Sequence, residues 1–281
     1  MVIQFILISI LFSILASING FAAEPILKIR GVNQSVSYTR KELLARKDVT
    51  ILETSEDPTY PGKKMSYRVV PMYALFDKIN IPASATIQFE CLDGFSAPIS
   101  KERLLSSSSD GSVAYLAIEN AGKKWPVVKP GVDGNTAGPF YLVWKNPKKS
   151  KIGTEEWPFQ LTGFVVKEPI ETRFPNIVPQ LKLANSKSVG NGFKIFLKNC
   201  FVCHTMNGDG ESQKGPDLNI PMNPIEYLGE TNLKKQIRNP QELRKWPQSK
   251  MNGFPKSAIS NDELSDLIAY LKQMSTQKAL K

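Results

Sequence analysis

Histidine is nearly missing from this chain. Its 281 residues include one, His204, and three cysteines, Cys91, Cys200 and Cys203. A lone imidazole excludes any site built on two histidines. A structural zinc centre would need further Cys or His ligands, and only the distant Cys91 is left to help. Charge is missing from the start of the chain, with no Lys, Arg, Asp or Glu before Glu24. Internal repeats are absent, and the one low-complexity tract, "SSSSDGS" at 106–112, reads as an exposed loop.

The uncharged start, "MVIQFILISILFSILASINGFAAEP", is apolar from Val2 to Ile18 and closes on Ala16, Ser17, Gly20, Ala22 and Ala23. It reads as an export signal over residues 1–23, cut after Ala22 or Ala23, although the usual basic leader is missing. The competing reading is an uncut anchor, because the run has about the shortest length that spans a bilayer. Export implies a periplasmic mature chain in an oxidising compartment, where paired cysteines ordinarily form disulfides. The formal charge of +10 lies wholly outside the signal. Nucleic acid is not the partner expected of an exported protein; acidic protein patches or an anionic membrane surface suit the charge better.

At 41% apolar and 22% charged, a chain of this length suits two globular domains. Residues 24–166 alternate as short strands do in "ILKIRGV" and "QSVSYT", and again in "ATIQFECLDGFSAPI", "VAYLAIE", "PFYLVW" and "FQLTGFVV". Thr39-x-x-Glu42 predicts a capped short helix, and "MYALFDKIN" after Pro71 a second. Residues 167–188 carry three prolines without periodicity and read as an extended, semi-rigid linker. From 189 to 281 the pattern is helical. "GNGFKIFLKN" puts Phe193, Phe196 and Leu197 on one face, and Ser260-x-x-Glu263 caps a helix striped by Leu264, Leu267, Ile268 and Leu271. The expected class is α+β, a sheet-rich N-terminal domain followed by an all-α domain.

The scarce residues converge in "KNCFVCHTMNGDG", where Cys200, Cys203 and His204 form Cys-x-x-Cys-His, the c-type haem attachment sequence. Two thiols three residues apart on a helical turn can each add to one vinyl group of a porphyrin, and the next residue then lies under the iron. A redox dithiol would not need the histidine and belongs beside a βαβ pattern that this chain lacks. A plain disulfide leaves the histidine unexplained.

Residues 189–281 resemble a class I c-type cytochrome. Gly192 and Phe196 match that family's first helix, and "DLIAYLK", Asp266 to Lys272, resembles its last helix, with Tyr270 at the crossing. "GPDL", Gly215 to Leu218, is similar to the loop whose proline carbonyl, here Pro216, accepts a hydrogen bond from the proximal histidine. The resemblance implies one covalently bound haem c on Cys200 and Cys203, with His204 as an axial ligand of the iron. Methionine is then the natural second ligand. Met206 is too close to His204, Met222 follows the proximal loop closely, and Met274 sits near the end of the last helix. Met251, 47 residues after His204 in "SKMNGF", resembles the family's Met-containing loop, and gap-filling in the core is its bland alternative.

Parts of residues 60–166, "VVPMYALFDKINIP", "FECLDGFSAPIS" and "AYLAIENAGKKWPVVKPG", resemble the sulfite-oxidase-like, molybdopterin-binding class. This first domain departs from that class, having no histidine and a Cys91 that is not at the position of the molybdenum thiolate, so it is expected to hold no molybdopterin. Trp125-Pro126, Trp157-Pro158 and "GPFYLVW" fit a ligand groove or, more commonly, core packing, and Tyr60 to Met65 an exposed docking loop.

Together these features imply an exported monohaem carrier of single electrons, its first domain docking or positioning, with no catalytic residue of its own. Redox partner proteins are expected, such as an exported dehydrogenase and a terminal acceptor. Lys234, Lys235, Arg238, Arg244, Lys245 and Lys250, leading to Met251, would steer an acidic partner or form an ordinary solvated face. The alternatives are a sulfite-dehydrogenase-like molybdenum oxidoreductase feeding its own haem, and a haem-based sensor.

Overall fold

The computed structural model describes residues 23–128, 135–180, 186–212 and 214–278. The predicted signal falls almost wholly outside these residues. Among the described residues no helix is long and apolar enough to cross a membrane.

Among the described residues, nine strands make two sheets in the first domain. β1 (Ile26–Arg30), β2 (Ser35–Thr39), β5 (Thr86–Cys91), β6 (Ser96–Ile99) and β9 (Leu161–Lys167) form one, in the order β2-β1-β9-β5-β6. β3 (Thr50–Thr54), β4 (Met65–Pro71), β7 (Val113–Ile118) and β8 (Phe140–Lys145) form the other, in that order. All pairings are antiparallel except β1 with β9, where Gly163 lies against the Lys28 carbonyl. The strand patterning predicts seven of these strands; β3 and β4 were not expected. β4 alternates buried Met65, Tyr67 and Val69 with exposed Ser66 and Arg68. β8 is buried from Phe140 to Trp144, as its unbroken apolar run requires of a strand covered on both faces. Leu27, Ile29, Tyr67, Phe89, Leu116, Trp144 and Phe164 meet in one core. Trp144 and Trp157 are packed inside and Trp125 packs against that core, so the aromatics serve packing.

Three one-turn helices join the strands. α1 (Arg40–Leu44) opens on the Thr39–Glu42 capping box. α2 (Met72–Leu75) is shorter than "MYALFDKIN" predicts, because Phe76 and Ile79 bury in a turn and Pro82 disfavours helix at the residue before it. α3 (Lys101–Leu104) is capped by Ser100.

The described part of the predicted linker, 167–180, is not an extended spacer. It contains α4 (Ile170–Arg173) and a 3₁₀ turn at Pro175–Ile177. Ile170 and Ile177 are buried in the second core, and the Ile177 carbonyl accepts from the Tyr270 hydroxyl at 2.9 Å. Its apolar residues, seven apart, gain more by burial than a solvated linker would.

The second domain is built on α5 (Ser186–Asn199) and α8 (Asn261–Ser275). A Cβ on Gly192 would lie 2.0 Å from the Asp266 carbonyl, so only glycine permits this crossing. Tyr270 fills the crossing, its ring 5.0 Å from that of Phe196 and 5.6 Å from that of Phe193. Ser260 and Glu263 cap α8 reciprocally, and Leu264, Leu267, Ile268 and Leu271 face the core. Between them run α6 (Pro224–Arg238) and α7 (Pro240–Leu243). The sequence reading passed over α6, although Asn223-Pro224-x-Glu226 is a capping box with proline in the first turn.

Candidate functional site

The site begins where α5 ends. Cys200 donates its backbone N–H to Phe196 at 2.8 Å, and His204 donates to Cys200 at 2.9 Å, so one further helical turn carries all three residues. No disulfide joins Cys200 and Cys203. Burial pushes the Cys200 thiol up to about 12, with Cys203 adding to it. Burial raises Cys203 too, and Glu155 adds to that. A redox dithiol needs a depressed thiol pKa, so the environment opposes that chemistry.

A second loop closes on this turn. Gly215 donates its N–H to the Cys203 carbonyl at 2.8 Å, and His204 Nδ1 donates to the Pro216 carbonyl at 2.7 Å. Any Cβ on Gly215 would come within 2.5 Å of the imidazole, so this glycine is a cradle for the ring. Asp217 holds the loop. It accepts from the Thr205 hydroxyl at 2.9 Å and from the amides of Gly208, Asn219 and Ile220 at 2.7 to 2.8 Å. Burial lowers the His204 pKa against the opposing pull of Pro216 and Asp217, which favours the neutral ring. With Nδ1–H committed to Pro216, the Nε2 lone pair is free for a metal. Two unpaired thiols beside such an imidazole fit a covalently attached haem.

The four methionines weighed as distal ligands are sorted by burial. Met206 and Met274 are wholly enclosed in the second core, and Met222 is half exposed. Met251 is partly buried, its sulfur 3.9 Å from Gln236 Nε2. Its loop is fastened to α6: Arg238 donates to the carbonyls of Phe254 at 2.9 Å and Ser260 at 3.1 Å, and Phe254 N–H donates to Ile237. Gly253 permits this approach, since a Cβ there would lie 2.3 Å from the Arg238 carbonyl. Arg238 therefore leaves the predicted basic cluster, and Lys234 pairs with Glu230 at 2.6 Å. Arg244, Lys245 and Lys250 remain exposed around the half-exposed Trp246.

Structure adds residues that sequence reading missed. Asn207, Asn219 and Asn223 form a buried ladder: Asn219 donates to Asn207 and to the Met274 carbonyl, and Asn223 to Asn219 and the Leu271 carbonyl. The four-residue spacing around "NIPMNP" is its only trace in sequence.

The first domain shows no comparable centre. Cys91 is buried in its core, with burial pushing the thiol up to about 12. Among the described residues no group of three or more His, Cys, Asp or Glu side chains is arranged to hold a metal ion.

The family model for cytochrome c matches residues 189–275 and leaves the first domain uncovered. The C-terminal part of this chain is a cytochrome c domain, and with it the chain is a haem-based electron-transfer protein.

Proposed function

We propose that the protein carries one haem c, joined to Cys200 and Cys203, and passes single electrons between redox partner proteins outside the cytoplasm. His204 and Met251 would hold its iron, and the group would then supply one-electron transfer rather than substrate chemistry. The observation that carries this reading is the 2.7 Å hydrogen bond from His204 Nδ1 to Pro216 beside two unpaired thiols. It orients the imidazole and makes its other nitrogen more basic. The Met/His pair raises the potential relative to two nitrogen ligands.

The first domain serves as the module that positions the cytochrome domain, with no molybdenum of its own. Exposed Arg244, Lys245 and Lys250 give the Met251 side a positive face for an acidic partner, and the N-terminal apolar run supports export to the periplasm. Extraction with acidified organic solvent tests the attachment. Haem should stay with the protein, and its release would refute the thioether assignment. Met251→Ala should abolish the sulfur-to-iron charge-transfer band of the oxidised protein while Met222→Ala keeps it; the reverse result would move the ligand to Met222. Metal analysis completes the test, since stoichiometric molybdenum would make the first domain an oxidoreductase.

A further inference from the structure

The second domain carries an exposed tryptophan on a strongly basic stretch. From Arg244 to Lys256 the chain holds four cations and no acid. Lys234 and Lys235, just before it, pair with Glu230 and Glu242, whereas Arg244, Lys245, Lys250 and Lys256 are exposed and make no ion pair among the described residues. Trp246 is 52% exposed, with the Arg244 guanidinium 5.6 Å from its ring centre. Its backbone is fixed: the N–H donates to Gln241 Oε1 at 2.7 Å, and the carbonyl accepts from Gln241 Nε2 at 2.8 Å and from the Ser249 N–H at 3.0 Å. The same loop runs on to Met251, five residues later. The haem-attachment turn offers no such surface, since Val202 is buried in the first domain's core and Cys203 packs against that core.

We propose that Trp246 is the apolar anchor of the docking face, and that its occupant is a redox protein with an apolar recess rimmed by acidic side chains. This rests on the electron-carrier reading above. Docking falls on the Trp246–Met251 loop because the first domain already occupies the Val202–Cys203 side of the attachment turn. A tryptophan on a fixed backbone loses little conformational freedom when a partner buries it, which makes it a strong anchor. The unpaired cations on the same stretch steer the encounter through water, and salt weakens that steering. A membrane surface fits less well. Binding to lipid grows with the apolar area inserted, and Trp246 is the one large apolar side chain exposed between Asn239 and Lys278 among the described residues.

The experiment mixes the reduced full-length holoprotein, by stopped flow, with oxidised plastocyanin, an acidic blue-copper protein, as the probe. One electron leaves the haem iron and reduces copper(II) to copper(I), and no proton or atom is transferred. Trp246→Ala should lower the second-order rate constant roughly tenfold with its salt dependence kept, and Trp246→Phe should restore most of it. The triple variant Arg244→Gln, Lys245→Gln, Lys250→Gln should instead flatten the salt dependence. Tris(phenanthroline)cobalt(III), a small oxidant that needs no docking face, should oxidise the wild type and Trp246→Ala alike; a rate that falls in step with the plastocyanin rate overturns the anchor role. An unchanged plastocyanin rate in Trp246→Ala overturns it too, and leaves the carrier reading standing. Wild-type binding to phosphatidylglycerol vesicles that Trp246→Ala abolishes would give the loop to a membrane and overturn the protein partner. A holoprotein that passes electrons to neither oxidant overturns the carrier reading itself.

Discussion

Single residues decide whether the proximal loop holds its shape. Asn219 donates to Asn207 and Met274, accepts from Asn223 and is wholly buried, so Asn219→Ala strips a partner from three groups and should cost roughly 2–3 kcal/mol in denaturant unfolding. Asp217 gives a pH signature. Burial would push its carboxyl up, but the amides of Gly208, Asn219 and Ile220 and the Thr205 hydroxyl outweigh it, and the net direction is down. A depressed folded pKa stabilises the protein above the unfolded value of 3.8 and loses that contribution as pH falls below it. Asp217→Asn should therefore flatten the acid limb of the stability profile, and an unchanged limb would contradict this. The Cys-x-x-Cys-His cluster and Pro216 were legible in sequence because each has a fixed neighbour or spacing. The Asn219–Asn207 contact was not, since nothing around either position announces a residue 12 positions away as its neighbour.

At the scale of elements, the α5–α8 crossing is the joint on which the cytochrome domain turns. Gly192→Ala should push the helices apart against the Asp266 carbonyl and lower stability by about 1–3 kcal/mol, seen as a lower thermal midpoint. Gly190→Ala makes a local control, since a Cβ there meets nothing within 4 Å. Both helices were readable from periodicity and capping, and the strands from their apolar patterning, β3 and β4 excepted. What sequence misjudged was the segment 167–188. Three prolines argue for a spacer, whereas Ile170 and Ile177 find a core to enter only once α8 is in place. The helix α6 was missed for a different reason: a glycine with φ of 70° interrupts it at Gly229 and blurs its period.

For the molecule as a whole, the interface between the domains is polar and tied at few points. Glu211 is the most connected, bonded to Gln88 of β5, Lys167 of β9 and Arg173 of α4. Glu211→Ala should loosen the domains without unfolding either, and limited proteolysis within 167–188 should speed up while visible spectra persist. Unchanged cleavage would mean that the other ties, among them Lys198 to Lys151 and the packing of Val202 and Cys203, hold the interface without it.

The sequence by itself determined the Cys-x-x-Cys-His motif on which the haem proposal rests, the α+β class and the order of domains. These follow from local spacing, and local spacing needs no knowledge of the fold. Only the tertiary structure decided that the connecting segment is part of the second core, that Arg238 fastens the Met251 loop, and that Val202 and Cys203 pack on the first domain's core. Those relations join residues far apart in the chain. They exist because burial and hydrogen bonding are settled by which surfaces meet, and no short-range pattern records that.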